Sequence, residues 1–243
     1  MPLEQSEAFI LRTFNVGEQD KIVVFFSRDK GIMKGIAKGA RKFGNRFGSS
    51  LEPMSRVKIY YYEKERKDLV TISNCDIIES FFEIQKDLKT NFALNYFAEL
   101  IEEFSPPRAK EDILFRLLIS VLQALKGGGD IALCTAYFEA WLLKINGVLP
   151  DFRHCKKCRK EIKGPGWLSP KKDGLYCVNC TPSRKEEIPP TLDDFLQWIK
   201  KNPPPREKTH PFSLENIKGI SATLEKIIVF HLEREPRTLA YLK

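Results

Sequence analysis

The chain lacks any apolar segment that approaches the roughly 18 uninterrupted residues required to cross a bilayer. It also lacks the basic start of a secretory signal, since Glu4 and Glu7 lie where such a signal would carry positive charge. We therefore expect a cytoplasmic protein that does not contact a membrane. Thiols stay reduced in that compartment, so structural disulfides are not expected among the six cysteines.

Histidine is scarce, with only His154, His210 and His231 in the whole chain. There is no zinc-protease helix, nucleophile elbow or Walker motif, and the acidic residues form no recognisable catalytic pair. We therefore predict that the protein is not an enzyme. Active sites need no contiguous motif, so a nucleic-acid-modifying enzyme stays an alternative, which turnover of a DNA or RNA substrate would reveal.

What is present is a globular composition with an uneven positive charge. The 243 residues are 42% hydrophobic and 30% charged, and they carry a formal net charge of +8. Residues 30–51 contain six bases and no acid, and residues 151–185 carry a net charge of +7. Concentrated positive charge favours a polyanionic partner, although a merely solvated basic surface is the alternative.

The first 80 residues are rich in β-branched and aromatic residues and alternate in polarity. They predict five strands, over Glu7–Thr13, Lys21–Ser27, Gly31–Lys38, Arg56–Glu63 and Leu69–Cys75. Five short strands in this length indicate a small closed barrel, with the OB-fold as the leading candidate. Closure would remove the exposed sheet edges.

Two basic segments of this barrel interleave cations with aromatic rings, a combination that suits phosphates and unstacked bases. The loop 39–53 has three glycines and two phenylalanines, Phe43 and Phe47, among its bases. The candidate DNA-binding residues of strand three, this loop and strand four are Lys34, Lys38, Arg41, Lys42, Arg46, Arg56, Lys58, Tyr60 and Tyr62. The alternative for the tyrosines is packing against the next domain.

The period becomes helical from Leu88 onward. We predict a barrel domain over 1–80 and a helical domain over 81–150 and 187–243, which the segment 151–186 interrupts. Thr191 and Asp194 resemble a capping box at the start of one helix, and Ser213 to Glu233 predicts the last long helix. The overall fold class is thus α+β and multidomain.

The interrupting segment contains Cys155-x2-Cys158 and, 18 residues later, Cys177-x2-Cys180. This spacing is typical of one structural zinc ion with four thiolate ligands, which leaves no position for an activated water. A redox dithiol pair is the alternative, but it usually accompanies a βαβ unit, which is not predicted here. His154 is a spare candidate ligand. Cys75 and Cys134 are interpreted as buried thiols.

The order of these features resembles the RecO family of bacterial recombination mediators. The similar stretches cover almost the whole chain and include 7–12, 18–25, 31–41, 46–53, Phe138 to Gly147, the four cysteines and the ending from His231. The resemblance implies an OB-fold followed by a helical domain with a zinc-binding segment. It also implies association with the nucleoid.

The resemblance further implies a function in DNA repair. It implies binding of single- and double-stranded DNA, annealing of complementary strands, and contact with RecR. It also implies binding of the acidic C-terminal tail of single-strand-binding protein, which would help RecA load on coated DNA. The alternative is a zinc-stabilised scaffold whose basic surfaces bind an acidic protein.

Overall fold

The structure, a computed structural model, describes residues 2–63, 68–207 and 210–242. The chain divides into two compact units: the first runs up to Arg116 and includes the C-terminal end, and the second is Leu117–Ala240. The division falls within a helix. Among the helices of the described ranges, none is long and apolar enough to cross a membrane.

The first unit is built on a closed barrel of five strands. They are β1 (Leu3–Val16), β2 (Asp20–Ser27), β3 (Gly31–Ala37), β4 (Arg56–Tyr62) and β5 (Leu69–Glu79). Their order around the barrel is β1-β2-β3-β5-β4, and β4 pairs with β1 to close it. β1 is 14 residues long, about twice the length predicted for it; it pairs with β4 through Leu3–Phe9 and with β2 through Ala8–Val16.

The barrel encloses its own apolar core because alternate residues of each strand face inward. On β4 the inward residues Val57, Ile59 and Tyr61 are buried, while their neighbours are partly exposed. On β3 the inward residues are small or flexible, and Gly35 passes so close to β5 that a Cβ would lie 2.7 Å from Ile72. The predicted barrel is therefore confirmed, together with the predicted orientation of β3 and β4.

Aromatic residues bury part of the outer wall of the barrel. Phe9 on β1 and Phe26 on β2 alternate with inward-facing residues and therefore point out of the barrel, yet both are fully buried. Their rings contact Phe115, with centroids 5.1 and 5.5 Å apart respectively. These residues explain why the compact unit extends beyond the barrel to include α1 (Phe82–Gln85), α2 (Leu88–Phe104) and the start of α3 (Asp112–Lys126).

The second unit is helical and contains a small sheet. Its helices after α3 are α4 (Ile131–Ile145), α5 (Thr191–Lys201) and α6 (Leu214–Leu232), and β6 (Gly166–Leu168) pairs with β7 (Leu175–Cys177). A 3-10 turn covers Leu239–Tyr241 at the end of the chain. α4 packs on α6, and Phe212 contacts the rings of Phe195 and Trp198 on α5.

The predicted helices form at the expected positions, but one predicted N-terminal cap does not form. α2 and α6 match the predicted helices closely, and Ser213 caps α6 in a capping box with Asn216. The expected box at Thr191 does not form, because Pro190 is the N-cap and has no side chain that can accept a hydrogen bond. The hydroxyl of Thr191 is instead buried without a hydrogen-bond partner.

We expect Gly31→Ala to destabilise the first unit strongly. Gly31 has φ of +65°, and a Cβ there would lie 1.9 Å from the carbonyl oxygen of Ala109. Left-handed backbone and overpacking together should cost about 2–4 kcal/mol of unfolding free energy, measured by chemical denaturation.

Gly17→Ala is the matched control for this prediction. Gly17 also has a positive φ, of +56°, but nothing lies within 4 Å of its added Cβ. Gly17→Ala should therefore lower the unfolding free energy only by the cost of the left-handed backbone, about 1–2 kcal/mol. Equal losses for the two variants would contradict the close approach of Gly31 to Ala109.

Candidate nucleic-acid interface and metal centre

The loop between β3 and β4 folds back on the turn between β1 and β2. The backbone N–H of Gly39 donates to the Asp20 carboxylate at 2.8 Å, and the N–H of Arg41 donates to the carbonyl of Gln19 at 2.9 Å. The Arg41 guanidinium donates to the carbonyl of Gly17 at 3.0 Å. These bonds fix the start of the loop against the barrel.

Asn45 holds the tip of the loop in one conformation. Its side-chain oxygen accepts from the backbone N–H groups of Phe47 and Gly48 at 2.9 and 3.1 Å. Its amide nitrogen donates to the carbonyl of Lys42 at 3.1 Å. The turn directs Phe47 into the barrel core, where it is 3% exposed, while Phe43 is completely exposed.

Three of the predicted DNA-binding cations meet at this loop. Lys38, Lys42 and Arg46 line an open hollow of about 410 Å³, together with Phe43 and backbone of the two glycines Gly39 and Gly44. Among the described residues of its lining, Asp20 is the one carboxylate, and it already accepts from the N–H of Gly39. The hollow therefore presents mostly positive charge and an apolar ring to solvent.

Arg46 connects this hollow to strand β5. Its Nε donates at 2.6 Å to the carbonyl of Ser73, the residue that bulges from the β4–β5 ladder. Tyr60 on β4 pairs with Asn74, the next residue along β5. The Arg46 guanidinium also lies 4.5 Å from the centre of the Phe47 ring, a cation–π contact.

The predicted β4 face points outward but its members differ in availability. Lys58 lies 5.6 Å from the centre of the Tyr60 ring, and Tyr60 and Tyr62 are both partly exposed. Arg56 instead pairs with Glu7, and its NH1 lies 3.7 Å from Glu79. The charge of Arg56 is thus largely satisfied within the fold.

Two other bases of the 30–51 segment lie away from the hollow. Lys30 pairs with Glu4 and Glu63 at 2.5 and 2.7 Å, which raises its pKa through these hydrogen bonds despite the opposing effect of burial. The six bases of this segment are therefore not all unopposed. Lys34 is exposed but lines a different hollow, of about 690 Å³, with the carboxylates of Glu102 and Glu103.

The four cysteines of the second unit come together as their spacing predicts. The Sγ atoms of Cys155, Cys158, Cys177 and Cys180 all lie within 4.8 Å of one another. A tetrahedral site with metal–sulfur bonds of about 2.3 Å needs sulfurs roughly 3.8 Å apart, and Cys158 and Cys177 are 3.9 Å apart. The chemistry and spacing of these donors therefore fit a metal ion.

Backbone hydrogen bonds hold the two cysteine pairs in place. The N–H of Cys155 donates to Lys160 O, which closes a hairpin around the first pair, and the N–H of Lys156 donates to Leu175 O at 2.7 Å. Cys177 is the last residue of β7, and the N–H of Cys180 donates to Cys177 O at 3.0 Å. The side chains of Trp167 on β6 and Leu175 on β7 are buried.

The sulfurs are not equivalent electrostatically. Burial opposes ionisation of Cys155, but backbone N–H groups of Cys158, Cys177 and Lys157 outweigh it and lower the pKa of that thiol to about 6. Burial, hydrogen bonds from the Cys180 thiol to the other sulfurs and the charge of Cys155 raise the pKa of Cys180 to about 12. Four thiolates this close together would repel one another, and a bound cation would offset their charge.

Several charged neighbours of the cluster are engaged in ion pairs. Arg153 pairs with Asp193 at 3.0 Å, Lys156 with Asp173, and Lys172 with Glu186. His154 does not join the cluster, because its Nδ1 pairs with Asp151 at 2.9 Å. Cys75 and Cys134 are buried as expected, and burial raises the pKa of each to about 12.

These features define a class: a protein with a closed five-stranded barrel of the OB type, followed by helices and a four-cysteine group that could hold a metal. Comparison with known families narrows this class. The model for "Recombination protein O N terminal" matches residues 1–81, and that for "Recombination protein O C terminal" matches residues 85–240. The chain therefore belongs to the RecO family of DNA repair proteins.

Individual relatives agree along almost the whole chain. The DNA repair protein RecO of Koribacter versatilis is 32% identical over 240 residues, which is 99% of this chain and 98% of that protein. The DNA repair protein RecO of Dehalococcoides mccartyi is 29% identical, with 98% of this chain and 94% of that protein covered. The DNA repair protein RecO of Pelotomaculum thermopropionicum is 28% identical, with 100% of this chain and 94% of that protein covered.

We expect metal removal to change the number of reactive thiols from none to four. Of the six cysteines, four form the cluster and two are buried elsewhere. Ligated and buried thiols react slowly, so a thiol reagent should modify none in the folded protein, four after chelation and six after denaturation. Four reactive thiols before any chelator is added would contradict a bound metal.

Proposed function

We propose that the protein is a non-enzymatic recombination mediator that binds single- and double-stranded DNA and anneals complementary strands. The observation that supports this most is the hollow lined by Lys38, Lys42 and Arg46 on a barrel of the OB type. Arg41, Lys58, Tyr60 and Tyr62 would extend the interface, and Lys34 would add charge from β3. Arg56, which already pairs with two carboxylates, would contribute least.

Annealing on such a surface needs no catalytic residue. Two complementary strands repel each other through their phosphates, and a shared basic surface screens that repulsion. Cations bound to the phosphates release counterions, so affinity should fall as salt rises. The protein would then act by holding the strands close together rather than by making or breaking bonds.

We further propose the partners that membership of this family suggests. These are RecR, the acidic C-terminal tail of single-strand-binding protein, and RecA, which the complex would help to load on coated DNA. Positive surfaces of this chain suit an acidic tail by charge complementarity.

We propose zinc as the ion of the four-cysteine group. Four thiolates suit zinc, and a site filled by four protein ligands is structural. With two positive charges against four negative ones, the site would keep a net charge of −2, which the surrounding lysines and arginines offset. About one equivalent of zinc per chain should be released by the chelator, and less than about half an equivalent would count against it.

We expect charge reversal of Arg41, Lys42 and Arg46 together to weaken DNA binding. Replacing each by Glu should lower single-strand affinity at least about tenfold at low salt, because phosphate contacts become repulsive. The slope of log affinity against log salt should become shallower by about 2, at roughly 0.7 per lost contact. Titration of labelled DNA at several salt concentrations measures both quantities.

The matched control reverses three exposed cations of the second unit, Lys200, Lys218 and Lys226. It changes the net charge of the protein equally, so it separates a local interface from a general charge effect. Wild-type binding by the barrel variant would overturn the interface. No salt-dependent binding of DNA by the wild-type protein would favour the alternative, a scaffold for an acidic protein.

A further inference from the structure

The two phenylalanines of the β3–β4 loop have opposite environments. Phe47 is buried in the barrel core, at 3% exposure, whereas Phe43 is completely exposed only four residues away. The other exposed phenylalanines of the first unit, Phe14 and Phe82, keep about half of their surface covered, at 50% and 52% exposure. The hydrophobic effect disfavours a fully exposed ring, so the position of Phe43 needs a reason.

The loop holds Phe43 outward through its own hydrogen bonds rather than leaving it unconstrained. Lys42 donates its N–H to Gly39 O at 3.0 Å, and the Asn45 amide donates to Lys42 O at 3.1 Å. The backbone of Phe43 thus lies between two anchored residues. A ligand that contacts this ring would find its backbone already ordered, which lowers the ordering cost of binding.

The surroundings of the ring select the chemistry of that ligand. Phe43 lines the same hollow as Lys38, Lys42 and Arg46, so a ring and three cations face one space. A nucleotide in a single strand combines a flat apolar base with a charged phosphate, which matches this pairing. A purely apolar partner would leave the three cations without a counterpart.

We propose that Phe43 and its hollow form a stacking site for an unpaired nucleobase, with Lys38, Lys42 and Arg46 on the adjacent phosphates. This inference rests on the proposed DNA binding and names the subsite that distinguishes strand types. In a duplex the faces of each base are covered by its neighbours, so Phe43 has nothing to stack on. The cations bind both kinds of DNA, and the ring binds only the single strand.

Stacking at Phe43 is compatible with annealing. A ring that contacts the face of a base leaves its hydrogen-bonding edge free to meet a complementary strand. Once the base pairs and stacks within the new duplex, its face is no longer available to Phe43. The site would therefore hold the single strand and release the product.

The test is Phe43→Ala, assayed with oligothymidylate and with a blunt duplex of the same length. Loss of one stacked base should weaken single-strand affinity roughly 5- to 100-fold. Duplex affinity should change by less than about twofold, and the salt slope should be unchanged for both DNAs, because no charge is removed.

Phe82→Ala is the matched control, since it removes an exposed phenylalanine from the same unit at the start of α1. It should bind both DNAs as the wild type does. Phe43→Trp keeps an aromatic ring and should retain single-strand affinity. The three native tryptophans lie in the second unit, so quenching of the added indole by oligothymidylate reports stacking at this position.

The outcomes separate this inference from the proposed function. Wild-type single-strand affinity in Phe43→Ala overturns the stacking site and leaves DNA binding by the cations intact. Equal losses for single strand and duplex also overturn it, because a general disturbance of the loop would produce them. A wild-type protein that binds neither DNA overturns the proposed function itself.

Discussion

Burial of Phe47 in the barrel core is the interaction on which the candidate interface depends. The ring lies among inward residues of the strands, and its backbone N–H is fixed by Asn45. With Phe47 anchored in the core, its neighbour Arg46 donates a hydrogen bond to the carbonyl of Ser73 at the bulge of β5. Lys42 and Phe43 are then left on the solvent side. One buried side chain thus converts a glycine-rich loop into a positioned basic surface.

The cysteine segment of the second unit needs another source of stability, because it has little apolar core. β6 and β7 have three residues each, and the four sulfurs lie within 4.8 Å. A bound cation would supply cohesion that such short strands lack. The charge of this segment is also partly satisfied, since Arg153, Lys156 and Lys172 pair with carboxylates. Its formal charge of +7 overstates what a polyanion would meet.

Patterns local in sequence allowed most of the fold to be predicted. Alternating strands, helical stripes and paired cysteines depend on short spacings, so the barrel, α2, α6 and the clustering of the four cysteines were predicted correctly. Contacts distant in sequence were not predictable. Glu4 and Glu63 neutralise Lys30, and Glu7 and Glu79 engage Arg56, from elsewhere in the chain. Phe43 and Phe47 have the same local composition, and only the Asn45 turn separates their roles.

Amide hydrogen exchange of the full chain, with and without single-stranded DNA, tests the central claim most directly. The account predicts that DNA slows exchange in residues 39–48 of the β3–β4 loop and along the outward face of β4, because these groups would lie under the bound strand. The four-cysteine segment should exchange at the same rate in both states. Unchanged exchange in the loop, with protection elsewhere on the chain, would contradict the account.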